Sequence, residues 1–469
     1  MTTSQSKPDE GIQGFVENAR WFGGKGRPFE VTEMRRLGWV ETGTLAKASI
    51  ELLTLSYEDG ETEHYQLPLA YYADPEERLN HAFVGWWEEP ELGGFVHVYD
   101  AVHDREAMAG WLLAFAAAEP TGDLEWHRLP GHDLDTEAHS TLFSGEQSNS
   151  SMAFGDDALL KVFRKITPGA NPDIAVHQVL TEAGSDHVAH LYGWLEISTG
   201  STGEGGGGAP LQLAMLQQFL RTATDGWESA MASIRNLFAE GDLHADEVGG
   251  DFAGESARLG KSLAEVHAVL AEHFPTHVRT AEQQAELAAA MAGRLDAALE
   301  VVPELAEYAD SLRATYAAVA DLAGVQVQQV HGDLHLGQTL RTVKGWKIVD
   351  FEGEPAKPLA ERVLPDSPWR DVAGMLRSFD YAPRVAERTA SQGADDTGAE
   401  QRAYRAAEWA ERNCAAFLAA YAGRELTDDE QTLLDAHVAD KAVYETVYEA
   451  RNRPTWVPVP LTAIERLAG

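Results

Sequence analysis

Apolar and polar residues alternate with a period of two along about the first hundred residues of the chain. The runs Lys47–Leu55 and Gly94–Tyr99 show this alternation, which is typical of half-buried β-strands. A helix is predicted near Arg105–Ala118. The pattern therefore predicts a small β-rich subdomain over residues 1–135.

A second β-rich region is predicted over residues 136–222, interrupted by one helix near Asn171–Ala183. Its strands are expected at Ser151–Phe154, Ala158–Phe163, His190–Leu195 and Gln212–Phe219. The glycine-rich segment Ser198–Gly208 lacks the spacing of a Walker lysine, so we interpret it as a flexible connector rather than a phosphate-binding loop.

The remainder, residues 223–469, has the three- and four-residue apolar spacing of helices. A short strand-rich stretch near Val325–Phe351 interrupts it. The predicted class is therefore α+β, with two β-rich regions followed by a mainly helical one.

The charge of the chain excludes some classes of partner. There are 37 basic and 75 acidic side chains, and the net charge is -38. Nucleic-acid binding needs a basic surface, and docking on an anionic membrane needs basic clusters, so neither partner is expected.

No apolar run is long enough to span a bilayer, and a cytoplasmic location is expected. The single cysteine, Cys414, is interpreted as a small buried hydrophobic residue.

Two blocks in the C-terminal region carry candidate chemistry, His331–Gln338 and Lys347–Glu354. Phosphoryl transfer to an alcohol needs a proton acceptor, oxygen ligands for a metal and a cation on the nucleotide. Asp333, Gln338 and Asp350 supply a carboxylate, an amide and a second carboxylate on turns beside apolar segments. The spacing therefore predicts a phosphoryl-transfer site.

This pattern, His-Gly-Asp-x-His-x-Gly-Gln followed by Asp-Phe-Glu, resembles the aminoglycoside-phosphotransferase branch of the kinases. The resemblance implies a two-lobed protein-kinase-like fold, with ATP and Mg²⁺ as cofactors. It implies that Asp333 is the catalytic base and that His335 lies near the base and the acceptor. It also implies that Gln338 and Asp350 bind the metal and that Glu352 supplies a further ligand.

The resemblance also gives Asp371 a structural role, as an acceptor of hydrogen bonds from the catalytic-loop backbone. Met215–Leu220 would be the hinge between the lobes, where backbone groups near Gln218 and Leu220 bind adenine.

Lys161 lies inside the apolar run Ala158–Phe163. A buried ammonium needs a partner, so we interpret Lys161 as the lysine that holds the nucleotide phosphates. The alternative is an edge lysine that reaches water. The helix that follows lacks a glutamate at the expected place, which leaves Asp173 or Glu182 as the acid that pairs with Lys161.

The segment before this strand is rich in short polar side chains. Ser144, Gln147, Ser148 and Asn149 occupy the position of the nucleotide-covering loop and are candidate phosphate ligands. A plain polar hairpin explains the same segment equally well.

The likeness is more specific to one group, the bacterial maltokinases, and its motifs run from Ala19 to Pro454. They are Ala19–Lys25, Gly145–Asn149, Asn171–Asp173, Thr224–Glu228, Ser378–Ala382 and Tyr448–Pro454. The resemblance implies a β-rich N-terminal cap and a kinase that converts maltose to maltose 1-phosphate for α-glucan synthesis.

Acceptor recognition is expected from the C-terminal helix. Tyr444, Tyr448 and Trp456 could stack on sugar rings, while Glu445 and Arg451 could bind hydroxyls. The alternative is an amphipathic helix that packs its tyrosines into the core. An aminosugar kinase is the second interpretation of the whole chain, and a non-catalytic nucleotide-binding protein is the third. Both a monomer and a dimer are compatible with the sequence.

Overall fold

The computed structural model describes residues 8–43, 46–143, 148–197, 209–240, 243–354, 357–390 and 398–468. The chain divides into two compact units. The first unit comprises residues 1–178 and 189–221, and the second comprises residues 179–188 and 222–469.

The elements up to residue 218 form two antiparallel sheets and three helices. They are α1 (Pro8–Asn18), β1 (Phe29–Val40), β2 (Lys47–Tyr57), β3 (Thr62–Tyr72), β4 (Phe83–Glu89), β5 (Gly94–Asp100), α2 (Arg105–Ala117), β6 (Leu124–Arg128), β7 (Ser140–Leu142), β8 (Asn149–Phe154), β9 (Ala158–Phe163), β10 (Lys165–Ile166), α3 (Pro172–Glu182), β11 (Leu191–Ile197) and β12 (Leu211–Gln218).

The first sheet has the strand order β1-β2-β3-β5-β4, and β10 pairs with β3 as an additional strand. The second sheet has the order β6-β11-β12-β9-β8-β7. Side chains of both sheets share one core with α2, where the ring centres of Trp111 and Phe115 lie 5.6 and 4.9 Å from that of Trp126. Helix α2 therefore joins the two sheets through apolar packing.

Two short strands pair with the sheet on the other side of the domain boundary that was predicted at residue 135. Strand β6 precedes that position but pairs with β11 in the second sheet. Strand β10 follows it but pairs with β3 in the first sheet, with Lys165 opposite Tyr65. Hydrogen bonds as well as apolar contacts therefore connect the N-terminal sheet to the sheet that carries Lys161.

The elements from residue 224 onward are mainly helical. They are β13 (Thr224–Asp225), α4 (Gly226–Ala239), α5 (Ala253–His273), β14 (His277–Val278), α6 (Ala281–Val301), α7 (Ala309–Val319), β15 (Gln326–Val327), β16 (Thr339–Thr342), β17 (Gly345–Ile348), α8 (Leu359–Arg362), α9 (Trp369–Ala390), α10 (Ala399–Ala422), α11 (Asp428–Asn452) and α12 (Pro458–Ala468).

Helix α11 begins with a capping box, in which the Thr427 side chain accepts from the Glu430 N–H and Glu430 caps the Thr427 N–H. Its apolar side packs into a core with α6 and α7 that includes Leu433 and Val443. The core with α6 and α7 fixes the position of α11 within the second unit.

The hairpin β16–β17 pairs with β13 and ends beside the predicted catalytic loop.

The predicted strands and helices are confirmed in kind, with ends that differ by one or two residues. Cys414 lies within α10 and is half-buried, so the predicted burial is met only in part, and desolvation raises the pKa of its thiol to about 12. The segment Ser198–Gly208 lies outside the described residues. In the part of the chain that the structure describes, every helix is too short or too polar to cross a membrane.

Candidate active site

The first unit places Lys161 opposite a buried acid. Strand β9 lies between β12 and β8, so Lys161 is on an interior strand and the edge-lysine alternative is wrong. Its Nζ is 3.0 Å from Asp173 Oδ2 at the start of α3 and 5.8 Å from the centre of the Phe163 ring.

Asp173, rather than Glu182, is thus the acid that pairs with Lys161. His177 Nδ1 lies 3.1 Å from the other Asp173 oxygen. Burial opposes ionisation of Asp173, but the charges and hydrogen bonds of Lys161 and His177 together outweigh it and hold the pKa of this carboxyl well below its usual range. The pair therefore presents a fixed, charged ammonium on β9.

The predicted phosphate loop joins β7 to β8, which are antiparallel neighbours. Ser148 is exposed, and Asn149 opens β8 opposite Phe163. Ser144 and Gln147 lie outside the described residues. Ser148 and Asn149 therefore lie at one end of the pair formed by β8 and β9, and β9 carries Lys161.

The predicted hinge residues follow the same sheet. Gln218 ends β12, and its N–H donates to the His190 carbonyl at 2.8 Å. Leu220 is half-buried beyond the strand end. Because the Gln218 N–H is engaged within the sheet, any contact of this segment with adenine would use its other backbone groups.

In the second unit, Asp333 lies on a loop shaped by local hydrogen bonds. Gly332 precedes it with a φ of 86°, a conformation that favours glycine. The His331 ring bridges the loop to the end of β17, because Nε2 donates to the Val349 carbonyl at 3.0 Å and Nδ1 accepts from the Asp333 N–H at 3.3 Å.

Asp371, near the start of α9, holds the backbone of this loop. Its carboxylate accepts from the N–H groups of His331 and Gly332 at 2.7 and 2.8 Å, and from His267 Nε2 at 2.9 Å. Burial opposes ionisation of Asp371, but the hydrogen bonds and charges of His267, His331 and the Gly332 N–H together outweigh it and keep the pKa below the usual value. Asp371 therefore fixes the loop through three charge-assisted bonds.

Helix α9 also approaches the loop closely. A Cβ on Gly374 would lie 2.5 Å from the Leu334 carbonyl oxygen, so only glycine permits this contact. One turn further on, the Ser378 hydroxyl accepts from the Leu336 N–H at 3.1 Å. One face of α9 therefore supports the loop on both sides of Asp333.

The predicted metal ligands lie at the end of β17. Asp350 has a φ of 69°, one of two positive φ values of non-glycine residues in the described chain, so its backbone is strained. Gln338 Nε2 donates to Asp350 Oδ2 at 3.0 Å, so these two side chains meet at the end of β17. Glu352 is half-buried two residues on. Carboxylate and amide oxygens suit Mg²⁺, so these residues fit that ion.

His335 lies two residues after Asp333 in the same loop. Its Nδ1 accepts from the Gly337 N–H at 3.1 Å, so the ring proton is on Nε2. Burial lowers the pKa of His335, and the Asp333 carboxylate only partly opposes this effect. His335 is therefore a neutral hydrogen-bond donor beside Asp333, the predicted base.

Lys441 is a residue of this site that the sequence analysis missed. It projects from α11, and its Nζ is 2.9 Å from Asp333 Oδ1. Although burial disfavours the ammonium, Asp333 raises the pKa of Lys441. A lysine 108 positions downstream of its partner has no local sequence signal. Only the position of α11 brings it to the base.

A cavity of about 130 Å³ opens at Asp333. Its lining combines an apolar wall with ionised side chains from five segments of the second unit. The lining residues are Leu287, Met291, Arg294, Gly332, Asp333, Leu334, Glu354, Lys357, Asp366, Arg370, Gly374, His437, Asp440, Lys441 and Tyr444.

Each carboxylate of this lining is paired with a cation. Besides the Asp333–Lys441 pair, Glu354 lies 3.0 Å from Arg370 and 3.2 Å from Lys357. The two remaining pairs are Asp440–Arg294 at 2.7 Å and Asp366–Arg370 at 3.0 Å. The lining therefore carries four carboxylates and four matching cations, and its charge is balanced.

Only some of the residues that were predicted to bind the acceptor line the cavity at Asp333 among the described residues. Tyr444 lines the cavity and is 39% exposed, and Tyr448 is 46% exposed, so the alternative that packs both rings into the core is wrong. Glu445 does not line this cavity in the described chain. The buried Arg377 holds it at 2.6 Å.

Two further candidates lie beyond Tyr448. Arg451 is exposed, and the ring of Trp456 lies against the guanidinium groups of Arg388 and Arg453. Neither candidate is among the described residues that line the cavity. Of the predicted acceptor residues on α11, the structure therefore brings Tyr444 to Asp333.

Comparison with known proteins gives two family matches. The maltokinase N-terminal cap domain matches residues 15–104, and the phosphotransferase enzyme family matches residues 251–431. The second match contains the catalytic loop, the predicted metal residues and Asp371.

Curated relatives extend the match over most of the chain. A glucosamine kinase of Streptacidiphilus jiangxiensis is 31% identical over 328 residues, which cover 67% of this chain and 70% of the relative. A glucosamine kinase of Mycolicibacterium smegmatis is 27% identical over 339 residues, covering 69% and 78%.

Among solved structures, a glucosamine kinase in complex with glucosamine, ADP and inorganic phosphate superposes with a TM-score of 0.70. The identity is 23%, and the match covers 100% of both chains. This likeness confirms the predicted kinase-like fold, with its β-rich N-terminal cap, β-sheet lobe and helical lobe. The chain belongs to the phosphotransferase enzyme family, in the group that includes the Streptacidiphilus glucosamine kinase and carries a maltokinase-type N-terminal cap, and it is a kinase.

Proposed function

We propose that this protein transfers the γ-phosphoryl group of ATP to a hydroxyl group of glucosamine. The observation that carries the proposal is the glucosamine kinase relative, whose 31% identity extends over two thirds of this chain. The cavity at Asp333, which Tyr444 also lines, gives the acceptor a place beside the proposed base.

In this proposal Asp333 accepts the proton of the attacking hydroxyl. The loop that carries Asp333 is fixed by Asp371, and Lys441 orients the carboxylate, so the base is positioned before the acceptor binds. The sugar ring lies against Tyr444, and the neutral His335 donates to a sugar oxygen. Each of these roles belongs to side chains of the second unit.

Lys161, held by Asp173, is proposed to bind the nucleotide phosphates. Gln338, Asp350 and Glu352 are proposed to hold Mg²⁺, which would neutralise charge on the transferred group. Ser148, just ahead of β8, and Asn149, its first residue, are the described candidates for phosphate contacts. Division of the chain at residues 135 and 222, with the cap first, remains a proposal.

Maltose is the second candidate, and one observation favours it. Since every carboxylate of the cavity lining is paired with a cation, an acceptor ammonium finds no surplus negative charge there. A neutral sugar would leave these pairs undisturbed. The match of residues 15–104 to the maltokinase cap domain agrees with this candidate.

The test is an acceptor screen with purified protein, Mg²⁺ and ATP. Glucosamine, maltose, glucose and an aminoglycoside are supplied separately, and sugar phosphate is detected by ³¹P NMR. We expect phosphate on glucosamine. Asp333→Asn is the control, in which loss of the base should lower turnover by about 10²–10⁴-fold while ADP binding is retained. Product on none of the sugars would overturn the proposal.

A further inference from the structure

Residues 158–166 belong to both sheets of the first unit. Strand β9 lies inside the second sheet and carries Lys161, whereas β10 pairs with β3 of the first sheet. Arg164 stands between the two strands and is completely buried. The chain therefore passes from one sheet to the other three residues after Lys161.

The Arg164 guanidinium contacts both sheets at once. Nη2 donates to Asp100 at the end of β5 at 2.7 Å, and Nε donates to the Ser150 hydroxyl on β8 at 2.8 Å. Its carbon lies 4.8 Å from the centre of the Trp21 ring. Trp21 and Asp100 precede the second sheet in the chain, and Ser150 belongs to that sheet.

Gln66 of β3 makes a second, parallel connection. Its side-chain amide donates to the carbonyls of Phe163 and Leu213 at 3.2 and 3.1 Å. Its backbone N–H donates to the Arg164 carbonyl at 2.7 Å. The end of β9 is therefore held by the first sheet through side chains and backbone together.

A buried ion pair is weak evidence for stability, because desolvating both charges offsets most of their attraction. What the planar guanidinium adds is direction, since its donors are fixed relative to one another. Here those donors set β8 and β9 against the first sheet. Ser150 lies opposite Val162 and Ser151 lies opposite Lys161, so the same strands position the candidate nucleotide contacts.

We propose that Arg164 is a positioning residue for nucleotide binding, through which the N-terminal sheet sets the place of Lys161 and of Asn149 at the start of β8. The inference rests on the proposed role of Lys161 in holding the nucleotide. In consequence, the N-terminal sheet contributes to nucleotide binding.

The test compares Arg164→Lys with Arg36→Lys. Lysine keeps the charge but cannot bond Asp100 and Ser150 with the geometry of the guanidinium. Arg36 is a matched control, since it is 19% exposed, bonds Glu51 and Glu89 within the first sheet, and makes no contact with β8 or β9 among the described contacts. Both substitutions should lower the melting temperature.

Calorimetric titration with MgADP gives the decisive readout. For Arg164→Lys we expect the dissociation constant to rise about tenfold or more, a gap of about 1.4 kcal/mol, with the acceptor KM within about twofold of wild type. For Arg36→Lys both values should stay within about twofold. Equal weakening in the two variants, or unchanged MgADP affinity in Arg164→Lys, would show a purely structural role and overturn the proposal.

If Arg164→Lys does not fold, Ser150→Ala decides, because it removes one hydrogen bond to the guanidinium. We expect its MgADP dissociation constant to rise about threefold, and an unchanged value contradicts the proposal. MgADP binding needs no acceptor. A wild-type protein that binds MgADP but phosphorylates no glucosamine would therefore sink the proposed function and leave this inference measurable.

Discussion

The proposed binding of the nucleotide phosphates depends on Lys161. Its ammonium is fixed by Asp173 at 3.0 Å, and its stem lies on an apolar strand. Lys161→Met keeps the stem and removes the charge, so the protein should fold while kcat/KM for ATP falls about a hundredfold. Lys165→Met is the matched control, because Lys165 is half exposed and pairs with Glu63 instead. Similar steady-state kinetics for the two variants would exclude Lys161 from the site.

The residues of the site differ in how far the sequence could predict them. Asp333 and Asp350 were recognisable because they lie in contiguous motifs. The choice between Asp173 and Glu182 depended on the rotation of α3 about its axis relative to β9, which local spacing does not encode. Lys441 was missed, since it reaches Asp333 from a helix 108 residues away.

His437, which lines the cavity, should make the stability of the fold depend on pH. It is 6% exposed, and burial lowers its pKa to about 4. The neighbouring carboxylates of Asp366 and Asp440 favour its protonation, and Arg370 and Arg279 oppose it. The unfolded chain therefore takes up the proton first, near pH 6.5, and stability should fall between about pH 6.5 and pH 4 by up to about 1.4 kcal/mol per pH unit.

The measurement is the free energy of unfolding in urea across this pH range. His437→Gln should remove this part of the slope, while His273→Gln, at an exposed position on α5, should retain it. A His437→Gln protein whose stability follows the wild-type pH dependence would contradict the assignment of a buried, neutral imidazole.

At the scale of elements, periodicity located six strands and two helices within the first 222 residues, but it predicted neither β6 nor β10 and did not indicate which strands pair. Strands β6 and β10 are short, and each pairs in the sheet on the other side of the predicted boundary. Pairing depends on packing around α2, where Trp111 meets Trp126. Contacts between distant segments cannot be predicted from the period of apolar residues along the sequence. The support of the catalytic loop by α9 was predictable through Asp371, whereas the close approach at Gly374 was not.

Helix α11 presents two half-exposed tyrosines one turn apart, which allows an internal comparison. Tyr444 lines the cavity at Asp333, with its ring 5.0 Å from Lys441 Nζ, whereas Tyr448 lies against Arg453. Tyr444→Ala should raise the KM for the acceptor about tenfold, because the sugar loses an aromatic face. Tyr448→Ala should change it less than about twofold. Initial rates with varied acceptor at saturating ATP measure both, and a larger effect at Tyr448 would place the acceptor further along the helix.

On the scale of the whole molecule, the reaction class was predictable and the acceptor was not. A base and metal ligands of this kind serve any alcohol, so their motifs report phosphoryl transfer alone. The cavity proposed for the acceptor is lined by several distant segments, from Leu287 to Tyr444. The relatives favour glucosamine, while the paired charges of the lining favour a neutral sugar. These two acceptors give different products.

The most direct measurement is therefore a competition between glucosamine and maltose. Both sugars are supplied at equal concentration with limiting Mg-ATP, and the early ratio of the two sugar phosphates equals the ratio of the two kcat/KM values. We expect a ratio of at least about tenfold in favour of glucosamine, or about 1.4 kcal/mol of transition-state discrimination. A ratio of tenfold or more in favour of maltose would contradict the proposed acceptor, while the assignment to the kinase family would stand.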